Sequence, residues 1–87
     1  MITKTITINS MDKIETFVDI INKFNGRFDL VSGCSIVNAK SIMAIFSLDI
    51  SRPVYLYIYN EDSADYVAKA LKDFEVNALQ IQEPLLA

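Results

Sequence analysis

The chain is expected to adopt an α+β fold, an open-faced two-layer sandwich in which an antiparallel sheet carries helices on one face. Three observations lead to it. Residues 2–8 and 54–59 alternate with period two, while residues 10–24 and 64–74 repeat their apolar side chains at helical spacing. Two short strand-like runs between 28 and 38 meet at a glycine. A short helical signal over 42–48 precedes the strongest strand, which gives the order β-α-β-β-α-β-α.

The first strand sets Thr3, Thr5 and Thr7 against Ile6 and Ile8, so one face is hydroxylated and the other apolar. From Ser10 the period changes. Ile14, Phe17, Val18, Ile21 and Phe24 mark an amphipathic helix, with Asn9 or Ser10 placed to cap it and Gly26 to stop it. FDLVSGCSIV then divides into strands near 28–32 and 34–38, turned at Ser32-Gly33, where glycine tolerates positive φ. Ile42, Ile45 and Phe46 give the middle helix its apolar positions, and Arg52-Pro53 closes the following loop. Ala64, Val67, Ala68, Leu71 and Phe74 form the apolar stripe of the last helix.

An 87-residue chain fits a single domain over 1–87. Such a domain buries roughly 60–65% of its unfolded surface, enough to fold without metal or disulfide support. With 52% hydrophobic and 22% charged residues the composition is globular. No apolar run approaches the ~20 residues of a membrane span, so no membrane association is expected. MITKTITINS lacks the basic-then-apolar block of a signal peptide, so the expected location is cytoplasmic. Cys34 is the only cysteine, and in a chain with no histidine it is expected to be a small, partly buried hydrophobe. A net charge of −3 with scattered lysines argues against nucleic acid as a partner. No metal-ligand set, catalytic pair or phosphate-cradling glycine loop is present, so neither an enzyme nor a cofactor or metal site is expected.

In VYLYIY, Val54, Leu56 and Ile58 alternate with Tyr55, Tyr57 and Tyr59. If the aliphatic set packs beneath the helices, the tyrosines occupy the uncovered face. Cross-strand packing on the threonines of the first strand accounts for them, and a surface for a partner or a homodimer is the sharper alternative.

NAKSIMAIFSL, followed by a loop, a strand and a terminal helix, resembles the histidine-containing phosphocarrier family, HPr, of the bacterial sugar phosphotransferase system. The resemblance runs from about Thr3 to Phe74 and is most specific at Ala39-Lys40-Ser41-Ile42, with support at Phe17-Val18. It implies the HPr-like open-faced β-sandwich. It also implies a phosphocarrier that accepts a phosphoryl group on one histidine and passes it to sugar transport proteins. In many members a serine at the start of the short middle helix is phosphorylated by an ATP-dependent HPr-type serine kinase, and Ser41 matches that position. The family's partner surface corresponds to Ile42, Met43 and Phe46. Ile42 and Phe46 also suit the core, which makes Met43 the best candidate for an exposed contact.

The departure from the family pattern is at the active histidine. Aligned on Phe17-Val18, its position falls approximately on Ser10, with Asp12 and Lys13 where the family has arginine and proline. A serine phosphate ester is a poor donor beside a phosphoramidate, so Ser10 is expected to be a helix cap and not a relay group.

These readings give three hypotheses. The first is a non-catalytic HPr-like regulatory or protein-binding domain with a degenerate active site. The second is an active phosphocarrier, opposed by the missing imidazole. The third is a ferredoxin-like ligand-binding or oligomerising module. It arises if the middle helix is only a connector and residues 77–82, where Leu79 and Ile81 alternate with Gln80 and Gln82, form a strand to give β-α-β-β-α-β.

Overall fold

The computed structural model describes residues 1–75. Its elements are β1 (Ile2–Ile6), α1 (Met11–Ile21), β2 (Phe28–Ser32), β3 (Ser35–Asn38), α2 (Ile42–Ile45), β4 (Val54–Ile58), a 3₁₀ turn over Glu61–Ser63 and α3 (Ala64–Ala70). The four strands form one sheet in the order β1-β4-β2-β3, and each neighbouring pair is antiparallel. This is the expected α+β sandwich. The capped turn of helix at α2 removes the premise of the ferredoxin-like alternative, that the middle helix is only a connector. The strand suggested over 77–82 lies outside the described residues.

The core forms where the helices' apolar stripes meet one face of the sheet. Ile14, Phe17 and Ile21 of α1 are buried, as are Phe28 and Leu30 of β2, Val54, Leu56 and Ile58 of β4, and Val67 of α3. Phe17 and Phe74 meet edge to face, with ring centroids 6.3 Å apart and planes at 70°, a favoured aromatic geometry.

Most differences from the sequence expectation are at element ends. β1 stops at Ile6, so Thr7 is outside the strand; its N–H instead donates to the Phe74 carbonyl at 2.8 Å, and Ile8 still enters the core. α1 ends at Ile21 because the backbone tightens, with Lys23 and Phe24 donating to carbonyls three residues back. The middle helix covers only Ile42–Ile45 before Ser47 and Leu48 close the same kind of turn. α3 stops at Ala70, yet Leu71 and Phe74 remain buried.

The hairpin turns one residue later than expected. Ser32 pairs with Ser35 across Gly33-Cys34. Gly33 has φ +60° and Cys34 has no positive φ, the pattern of a type II′ turn. Cys34 is therefore exposed at the tip and not partly buried as expected, because a residue in a two-residue turn projects beyond both strands.

On the uncovered face, register places Tyr55 between Thr5 and Val31, and Tyr57 between Thr3 and Asp29. Asp29 and Val31 also pair with Asn38 and Ile36 of β3. The tyrosines thus lie on the open face with Thr3 and Thr5 directly across from two of them. Among the described residues, no helix is long and apolar enough to cross a membrane.

Candidate functional site

Two serines begin the two helices that carry the family-like positions. Ser10 has extended backbone and its Oγ accepts from the Lys13 N–H at 3.3 Å, which caps α1; Asp12 lies in the first turn. Ser41 is also extended, and its Oγ accepts from the Ala44 N–H at 3.3 Å. Each hydroxyl satisfies a donor that the helix itself leaves unpaired. Helices α1 and α2 pack against each other.

The apolar residues around these caps divide by exposure. Ile45 is buried and Ile42 is partly buried against the core, whereas Met43 is 78% exposed and Phe46 45%. Phe46 thus differs from the core role that its spacing allows. It is the C-cap of a four-residue helix, and Ile45 and Leu48 fill the core in this segment instead. Met11, which sequence reading did not single out, is 60% exposed at the start of α1. Its only sequence signal is an apolar residue directly after the cap, off the Ile14-Phe17-Ile21 stripe.

A second cluster lies on the open face. Asp29 is buried at 5% exposure. Its Oδ2 accepts from Arg27 Nε at 3.1 Å and from the Tyr59 hydroxyl at 2.9 Å, and pairs with an Arg27 terminal nitrogen at 3.0 Å. The Arg27 guanidinium carbon also lies 4.8 Å from the Tyr59 ring centroid, within cation–π range. The Asp29 hydrogen bond and charge raise the pKa of Arg27 above its ordinary value. The same carboxylate raises that of the Tyr59 phenol, chiefly because the bond requires the proton. Elsewhere, hydrogen bonds from Ser51 lower the pKa of Asp49. Of the three tyrosines singled out, Tyr59 is held by this cluster at 39% exposure, Tyr55 is 48% exposed and Tyr57 is intermediate. Among the described residues no group of three or more cysteines or carboxylates could hold a metal ion.

No family model and no curated protein matches the chain. Among solved structures, HPr-C-His from Thermoanaerobacter tengcongensis is similar, with a TM-score of 0.70 and 32% sequence identity over 84% of this chain and 89% of that one. The chain belongs to the HPr family. Its relation to the phosphocarriers of the phosphotransferase system follows from that membership. The chain contains no histidine.

Proposed function

We propose that this HPr-family chain is a non-catalytic regulatory or protein-binding domain related to the bacterial sugar phosphotransferase system, acting in the cytoplasm without phosphoryl transfer through histidine. The observation that carries this reading is the absence of any imidazole from the chain. Ser10, at the approximate position of the family's histidine, uses its hydroxyl as a cap. A phosphate on that hydroxyl would be a stable ester, and Asp12 in the same turn would oppose its charge.

The protein-binding surface is assigned to Met43 and Phe46, with the partly buried Ile42, because exposed apolar side chains at a helix suit a protein partner. Ser41 is the regulatory position. In its phosphorylation by an HPr-type serine kinase, Oγ would attack the γ-phosphorus of ATP, its proton passing to a base of the kinase, while ADP departs. The added charge would sit beside the apolar surface and weaken docking there.

Incubation with the general phosphotransferase enzyme and labelled phosphoenolpyruvate tests the reading. The protein should remain unlabelled while a histidine-bearing HPr in the same tube is labelled. Acid-labile label on this chain would overturn the proposal.

A further inference from the structure

A second site, apart from the Met43–Phe46 surface, lies at the base of the β2–β3 hairpin. A cleft of about 520 Å³ opens there between the residues entering β2 and those leaving β3, lined by Arg27, Asp29, Ile36, Asn38 and Lys40 among others. Its volume falls within the roughly 300–1,000 Å³ of small-molecule sites.

The polar groups lining the cleft already have fixed positions. Lys40 Nζ donates to the Phe24 carbonyl at 2.7 Å and lies 5.5 Å from the Phe28 ring centroid, which holds the ammonium in place with hydrogens to spare. Asn38 Oδ1 accepts from the Lys40 backbone N–H at 2.9 Å. The Asn38 amide is thereby oriented, and its NH₂ has no protein partner among the described residues. Arg27 spends Nε and one terminal nitrogen on Asp29 and keeps further N–H groups, with its side chain 70% exposed. Among the described residues, the donors to Asp29 all meet Oδ2, which leaves Oδ1 as an acceptor without a partner there.

The lining thus offers spare donors from two cations and an amide, and one spare acceptor. The only carboxylate among these residues is already engaged by Arg27 and Tyr59, so the unsatisfied charge is positive. An oxyanion would meet Arg27, Lys40 and Asn38 through charge-assisted bonds. A hydroxyl on the same molecule would donate to Asp29. We propose that this cleft binds a small oxyanion carrying a hydroxyl group, a hydroxy acid or a phosphate monoester of a polyol.

Titration of the ¹⁵N-labelled full chain, followed by amide shifts, tests the assignment and separates the two ligand sources. Glycerate and glycerol 3-phosphate are the hydroxylated probes, and acetate, inorganic phosphate and glycerol are the controls. At least one hydroxylated probe should give saturable shifts centred on Gly26, Asn38 and Lys40, and should bind more tightly than its bare anion. Which of the two binds identifies the anion class. Lys40→Met should weaken binding at least about tenfold, the loss expected for one charge-assisted contact of roughly 1.4 kcal/mol. Ile36 is 61% exposed, so Ile36→Glu should leave the fold intact. It should abolish binding by placing a carboxylate in the lining, and it decides the matter if Lys40→Met does not fold. The proposal is overturned if neither hydroxylated probe saturates, if the bare anions bind equally well, or if Ile36→Glu binds like the parent.

Discussion

The Tyr59 hydroxyl donates to Asp29 Oδ2 at 2.9 Å and joins β2 to the end of β4 through a buried carboxylate. The bond uses the phenolic proton, so Tyr59 should ionise above the ordinary tyrosine value of about 10. The folded state holds this proton at pH values where the unfolded chain has released it. The stabilisation is therefore complete below the unfolded value and is lost as pH rises through the folded one. Ultraviolet titration should show a late phenol that Tyr59→Phe removes and that Asp29→Asn shifts downward. An unchanged titration in Asp29→Asn would mean that the carboxylate does not control the phenol.

Phe17 and Phe46 have opposite roles although both occupy apolar positions of helical patterns. Phe17 is fully buried and packs edge to face on Phe74. Phe17→Ala should cost about 3–5 kcal/mol through lost transfer energy and the cavity left behind. Phe46 is 45% exposed, so Phe46→Ala should cost only about 1 kcal/mol, roughly half the value for full burial of phenylalanine. Urea unfolding with an unchanged m-value reads both costs. Equal costs would place Phe46 in the core and remove it from the binding surface.

Gly33 takes φ +60°, and a Cβ added to it would meet no atom within 4 Å. The cost of Gly33→Ala is therefore backbone strain alone, about 1–3 kcal/mol. Replacement by D-alanine through chemical ligation should retain or raise stability, because a D residue prefers positive φ and also restricts the unfolded chain. If both alanines destabilise equally, the hairpin turn has another conformation.

How far the fold could be read from sequence depended on the range of the interactions involved. The spacing of Ile14, Phe17 and Ile21 identifies a buried helix face, and the alternation in VYLYIY separates Val54, Leu56 and Ile58 from the tyrosines, because both signals arise from local backbone geometry. The cap at Ser10 was legible for the same reason, and the structure adds a second cap at Ser41, which the sequence places at the start of the middle helix. Phe24, Leu71 and Phe74 keep the helical apolar pattern after the helices have ended, so the pattern alone overextends both elements. The link between Asp29 and Tyr59 spans 30 residues and depends on β2 pairing with β4, which no local signal encodes. The exposure of Cys34 and Phe46 likewise depends on where the hairpin turn and the end of α2 fall in the assembled fold. NAKSIM marks the positions that resemble the family's in sequence alone, whereas the cleft beside Lys40 required the assembled hairpin.

Ser41 supports the middle helix before any signalling role is considered. Its Oγ accepts from the Ala44 N–H at 3.3 Å, so Ser41→Ala should cost about 0.5–2 kcal/mol. Aspartate caps equally well, and Ser41→Asp should recover most of that loss. The two substitutions therefore separate stability from charge. If Ser41 also regulates docking, Ser41→Asp should be nearly as stable as the parent yet bind a Met43- and Phe46-dependent protein partner differently, while Ser41→Ala should lose stability and bind like the parent. Denaturant unfolding measures the first property, and titration against a phosphotransferase-system protein measures the second. Mass spectrometry after treatment with an HPr-type serine kinase and ATP should place the phosphate on Ser41. Lack of modification together with identical binding of the two variants would reduce Ser41 to a cap. Unchanged stability in Ser41→Ala would remove the cap as well, because the hydroxyl would then contribute nothing to the turn that presents Met43 and Phe46.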